Sequence, residues 1–297
     1  MTKSLRVQGT IFCGLAMITA AFSQMLPRME ARLELIIIAS LIIFLGVPHG
    51  AMDTVFAKSI YKVSGLAGWL KFGIIYAVIA ASVVGMWVFL PVLFLLGFLA
   101  ISVAHFSGDP AQGTHFVSRL LYGGAVIILP TVFHQTETRD LFALLAGNVA
   151  ATSVTTGLSW LAWPWALAIV FAALFEMQKD PQTGFEFLAV AALALLVPPL
   201  MSFAVFFCAM HSARHILRTL DYAKDTSPLI LAGMSVLPMF AVLIAVTLSL
   251  NMLSNLRFDS RIIQIIFVGL AALTVPHMAL VERVRLAGWT KAILHER

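Results

Sequence analysis

Apolar residues run along the chain in long stretches separated by short polar ones. Ten such stretches can be drawn, at roughly 9–26, 33–52, 72–90, 91–107, 118–135, 159–177, 185–198, 200–218, 229–250 and 262–281. A helix of about 20 apolar residues crosses a hydrocarbon core ~30 Å thick. Backbone groups in lipid must be satisfied internally, and stretches of this length select helices over barrel strands. The stretch at 185–198 is short for a full crossing, so the count is about ten, or nine if it does not span. Pro91 joins the third and fourth stretches tightly, and Pro198-Pro199 breaks the chain between the seventh and eighth. No soluble domain, low-complexity tract, long linker or clear internal repeat stands out. The expected fold is all-α: a polytopic transmembrane helical bundle forming a single integral membrane domain over residues 1–297.

Composition sharpens this picture. The chain is 61% hydrophobic and only 11% charged, with a mean hydropathy of +0.97. A soluble domain would be about 25% charged. The net charge of +5 is dispersed over loops, which reads as topology and gives no sign of nucleic-acid binding. Cys13 and Cys208 lie far apart in apolar runs and read as small core residues. Lys3 and Arg6 precede an apolar run from Ile11 to Phe22, a pattern shared by signal peptides and first membrane helices. No clear small-residue cleavage site stands out and more apolar helices follow, so a first membrane helix is expected. With ten helices, 14 of the 19 Lys and Arg residues fall on one side, leaving Arg28, Arg32, Arg139, Arg257 and Arg261 on the other. The positive-inside rule then puts both termini in the cytoplasm; the protein is expected in the cell inner membrane.

That topology organises the histidines. His211 and His215 form H-x-x-x-H in Phe206-Phe207-Cys208-Ala209-Met210-His211-Ser212-Ala213-Arg214-His215. On a helix, residues four apart share a face, so both rings can reach one point. His49, His105 and His277 also fall near the cytoplasmic ends of their helices, whereas His134 ends a helix on the outer side. His115 lies in a loop and His295 in the C-terminal tail. A single histidine in such a setting reads as a core residue bonded to a carbonyl. Several at one depth, including an i, i+4 pair, read as a site for iron, copper or zinc. Asp53 follows His49 by four, and Asp109 follows His105 by four. These carboxylates either orient ligating rings or face water at helix ends. H-E-x-x-H, a His-His doublet and a glycine-rich phosphate loop are absent from the sequence. That argues against zinc metalloproteases, histidine-box di-iron desaturases and nucleotide-driven work. Trp160, Trp163 and Trp165 read as an aromatic belt at the outer interface, or as the lining of a substrate tunnel.

Four elements together resemble the Brp/Blh-type membrane β-carotene dioxygenases. They are Val47-Pro48-His49-Gly50-Ala51-Met52-Asp53, Ala104-His105-Phe106-Ser107-Gly108-Asp109, His211-Ser212-Ala213-Arg214-His215 and Leu273-Thr274-Val275-Pro276-His277-Met278. The likeness runs from about residue 33 to 282. It implies a non-haem Fe(2+) held by His49, His105, His211 and His215; His277, which matches the late P-H element, is placed with Asp53 and Asp109 behind the ligands or facing substrate. It also implies cleavage of the central double bond of β-carotene by O2 to two all-trans-retinal, with retinal passed on to a rhodopsin. A carotenoid is about as long as the bilayer core is thick, ~30 Å. Iron near the inner face therefore calls for a bent or membrane-parallel tunnel, entered from the lipid. The alternatives are a haem- or metal-binding membrane carrier without catalysis, and a transporter with relay histidines. The lack of repeated halves lowers the transporter reading.

Overall fold

A computed structural model describes residues 2–27 and 29–286. Arg28, Lys291, His295 and Arg297, used in the topology and histidine readings above, lie outside the described residues. The chain forms fifteen α-helices and two π-helical turns, with no strand among the described residues. In order these are α1 (Lys3–Met25), α2 (Ala31–Leu41), a π turn (Ile42–Gly46), α3 (Pro48–Ala51), α4 (Asp53–Ile60), α5 (Gly65–Phe89), α6 (Pro91–Phe106), α7 (Phe116–Ile128), α8 (Pro130–Phe133), α9 (Gln135–Ala146), α10 (Asn148–Met177), α11 (Pro181–Leu196), α12 (Pro199–Val205), a second π turn (Phe206–Ser212), α13 (Ala213–Tyr222), α14 (Pro228–Met252) and α15 (Phe258–Leu286). Eight helical runs are long and apolar enough to cross a membrane, and α6 and α11 are shorter apolar helices. The chain is an all-α, multi-pass membrane protein.

Local chemistry sets the boundaries. Pro91 opens α6, Pro181 opens α11 and Pro228 opens α14, at the first-turn position where a missing N–H costs nothing. Glu30 caps α2 by accepting from the amides of Arg32 and Leu33, and Ser227 caps α14 by accepting from Ile230. The expected break at Pro198-Pro199 separates α11 from α12. Two departures from the expected pattern have physical causes. The stretch drawn at 159–177 begins at Asn148, because a serine- and threonine-rich half continues the same helix without an apolar signature. Before it, Gly147 turns at φ +80°, ending the polar-headed helix α9, which apolar runs alone do not mark.

The chain divides into two compact units: Met1–Gly46 with Pro91–Arg214, and Val47–Leu90 with His215–Arg297. In the first, α11 packs against both α1 and α10, and α7 packs against α6 and α10. Its core holds an aromatic cluster in which Tyr122 meets Phe187 at 5.0 Å and Phe206 at 6.1 Å, and Phe206 meets Phe106 at 5.0 Å. Trp165, expected in an interfacial belt, is instead packed on Gly124 and donates its indole N–H to the Leu121 carbonyl at 2.9 Å. Trp160 and Trp163 are exposed. In the second unit, α15 packs along α5 and α4. Its core gathers Phe56, Tyr222, Leu280, Val281 and Val284. Residues of α5 reach no full burial, and α14 buries Leu231 alone. Helices apolar on all sides and exposed in this way suit a lipid surround.

Candidate metal centre

The first unit brings His105, Asp109 and His211 together. His105 is the penultimate residue of α6, and the chain then turns through Gly108 and Asp109, whose amides donate to the carbonyls of His105 and Phe106 at 3.0 and 3.1 Å. Arg119 gathers the carbonyls of Ser107, Pro110, Ala111 and Thr114 in the segment between α6 and α7. That locks the turn carrying Asp109. His211 stands in the second π turn. Its ring lies 4.5 Å from that of His105, edge-on, and stacks on Phe207 at 5.7 Å. Both Asp109 carboxylate oxygens lie 3.0 Å from His211 Nδ1.

The second unit brings together His49, His215 and His277. Their ring centroids form a near-equilateral triangle: 5.3 Å for His49–His215, 5.1 Å for His49–His277 and 5.0 Å for His215–His277. His277 Nδ1 lies 2.6 Å from Asp53 Oδ1, and Tyr76 donates its hydroxyl to Asp53 Oδ2 at 3.0 Å. His215 Nδ1 faces the Thr219 hydroxyl at 3.4 Å, and that hydroxyl donates to the His215 carbonyl. All five histidines and both aspartates are buried, none more than 6% exposed.

Imidazoles buried away from water are donors of the kind that hold iron, copper or zinc. A carboxylate on Nδ1 fixes the ring and turns Nε2 toward a ligand, the carboxylate–histidine–metal arrangement of many metalloproteins. Cys13 and Cys208 are half-buried thiols outside these groups.

The H-x-x-x-D spacing marks both carboxylates, but their histidine partners come from elsewhere in the chain. Asp109 meets His211, 102 residues on, and Asp53 meets His277, 224 residues on. His277 stands in the triangle on the same footing as His49 and His215. His134 and His115 play other parts. His134 faces Glu137 at 3.7 Å, and His115 accepts from Val117 at the start of α7. Tyr76, Thr219, Arg119 and Arg214 escape a search for ligand spacings. A polar residue inside an apolar run was the available signal for Arg214 and for Glu186. The helices also run on past the histidines: α4, α13 and the end of α15 continue with Lys58, Arg218, Arg283 and Arg285. His49, His211, His215 and His277 therefore lie inside their helical runs, whereas His105 stands at the end of α6.

The sequence profile of a family described as beta-carotene 15,15′-dioxygenase matches residues 40–284. A beta-carotene 15,15′-dioxygenase from an uncultured marine bacterium, 66A03, is 28% identical over 266 residues, covering 82% of this chain and 91% of that protein. A probable beta-carotene 15,15′-dioxygenase Blh from Halobacterium salinarum is 25% identical over 225 residues, covering 66% of this chain and 65% of its own length. No solved structure matches the chain. The profile takes in well over half of the sequence and every histidine and aspartate placed above in the two clusters, so the chain belongs to the beta-carotene 15,15′-dioxygenase family.

Proposed function

We propose that this protein is a carotenoid-cleaving dioxygenase that splits β-carotene at its central double bond, adding one O2 and releasing two all-trans-retinal. Both oxygen atoms end in the two aldehydes, so the reaction needs no further reductant. The observation that carries this reading is the set of five buried imidazoles, two of them with a carboxylate on Nδ1, in a chain of this family. We assign a non-haem Fe(2+) to His49, His105, His211 and His215, as the resemblance implies, and add His277 from its place in the triangle. When bound, the iron supplies the electrons that activate O2.

The chain's own residues supply the rest. Asp109 and Asp53 hold the rings of His211 and His277 through Nδ1 and leave Nε2 to face a ligand. Phe56, Phe106 and Phe207 pack on the imidazoles and keep water away. The substrate has no polar handle, so its binding rests on shape and buried apolar area. The second unit carries an open cleft of about 500 Å³ lined by Pro48, Met52, Ile216, Leu231, Val236 and Phe240, among others. Ser235 is the single polar residue of its lining, and Pro48 and Ile216 are chain neighbours of His49 and His215. Such a cleft suits a hydrocarbon approaching from lipid, by the bent or membrane-parallel path that a polyene centred on iron requires.

A haem carrier fits less well. Three imidazoles about 5 Å apart in the second unit, two of their contacts edge-on and one tilted, leave no flat slot for a macrocycle between them. The Lys and Arg distribution favours both termini in the cytoplasm, in a protein we place in the cell inner membrane. Retinal made there would pass through lipid to a retinal-binding protein such as a rhodopsin.

Product analysis in bacteria that accumulate β-carotene tests the reaction. Expression of the chain is expected to bleach the cells and yield retinal, and iron chelation during growth to prevent both. Unchanged carotene with well-inserted, iron-loaded protein would overturn the assignment.

A further inference from the structure

Arg214 lies between the two histidines of H-x-x-x-H and is fully buried, at 0% exposure, with Glu186 at 1%. Its guanidinium meets Glu186 as a fork: Nη1 donates to Oε2 at 2.8 Å and Nη2 to Oε1 at 2.6 Å. Nε donates to Gln8 Oε1 at 2.9 Å, and Nη1 also donates to the backbone carbonyl of Asp109 at 3.2 Å. A buried ion pair is weak evidence of added stability, because desolvation offsets its attraction. Ionisable residues within membrane helices more often mark function. What this pair holds is therefore informative.

It holds the backbone on both sides of the His211–Asp109 contact. On one side is the Asp109 carbonyl. On the other is the second π turn. There the Ala213 amide donates to the Cys208 carbonyl, five residues back, so Ala209 loses the donor that a regular α-helix would give it. Gln8, from α1, donates to the Ala209 carbonyl at 2.7 Å. The same Gln8 accepts from Arg214, so one side chain ties the guanidinium to the widened turn that presents His211. A lysine at 214 would keep the charge but could not make this planar set of contacts.

We propose that Arg214, braced by Glu186 and Gln8, is a positioning residue that sets the Asp109 carboxylate against His211 and thereby tunes metal affinity at that histidine. The inference rests on the metal reading above. It is tested on the purified full-length protein with Co(II) as the probe, following affinity and the visible ligand-field bands alongside thermal unfolding. Arg214→Lys is expected to stay folded, to lower Co(II) affinity by about 10–100-fold, as loss of an outer-shell partner does, and to shift the bands. Asp109→Asn is expected to do the same. The double variant is expected to lose little more than either alone, because both act through one contact. Gln8→Met leaves the ion pair in place and is expected to lower affinity several-fold, which gives a reading even if Arg214→Lys fails to fold. Wild-type bands and affinity in Arg214→Lys or Gln8→Met, or losses that multiply with Asp109→Asn, would overturn the inference and leave the metal reading standing. A wild-type protein that takes up no Co(II) would overturn both.

Discussion

At the scale of single residues, chemistry concentrates where a carboxylate meets an imidazole. A histidine bonded through Nδ1 to a carboxylate is held in one tautomer and is a stronger donor at Nε2. Asp109→Asn keeps the shape of the side chain but removes the charge that His211 faces at 3.0 Å. Iron content or activity is expected to fall by ~10–100-fold, measured as metal per protein and retinal formed. A variant with wild-type iron content would remove Asp109 from the site. His277→Ala separates two roles. As a ligand, its loss is expected to lower iron content as far as His49→Ala does. Full iron content with altered products would instead make His277 a substrate-facing residue. The candidate histidines were legible in the sequence because imidazole is expensive in an apolar helix. Their partners were not, because Asp53 and His277 meet across 224 residues, and spacing along one helix carries no information about a helix from the far end of the chain. Glu186 and Arg214 were visible as charges within or beside apolar runs, but nothing local says that they bond each other.

Elements follow the same division between local and distant causes. All ten apolar stretches lie in helical segments; α6, α11, α12 and α14 start at prolines, and α2 and α7 at side-chain caps. The two π turns were not legible, since one extra residue in a turn leaves no compositional trace. Close approaches between helices are also hidden. Gly123 of α7 sits against the end of α6: a methyl group there would overlap the Val103 carbonyl and the Ser107 amide. Ser107 opens the turn that carries Asp109, so crowding at Gly123 pushes directly on the carboxylate. Gly123→Ala is expected to cost about 1–3 kcal/mol, as overpacking does, and to reduce iron content along with stability. Gly14, exposed on α1 with open space around it, is the control. Gly14→Ala is expected to leave both unchanged or to stabilise slightly through helix propensity. Thermal unfolding in detergent with parallel metal analysis checks the pair. Equal behaviour of the two variants would mean that the α6–α7 approach has slack.

For the whole molecule, orientation is the property that sequence statistics address and helix packing does not. The orientation proposed from the basic residues has the 214–228 loop inside and the loop between α14 and α15 outside. α14 joins these loops with 25 residues, or about 37 Å of helix at 1.5 Å per residue, enough to cross a ~30 Å core. The two loops must then lie on opposite sides. Lys224 and Ser254 are exposed at the two ends, which makes them suitable labelling sites in a background with Cys13 and Cys208 replaced. A membrane-impermeant maleimide applied to intact cells stripped of outer membrane is expected to label Ser254→Cys and spare Lys224→Cys until the membrane is opened. The reverse pattern would invert the topology and move the polar helix ends that flank the histidines to the outer face. Labelling of both sites in sealed cells would mean that α14 does not cross, and the exposed, largely apolar surface of that helix would then need another cover.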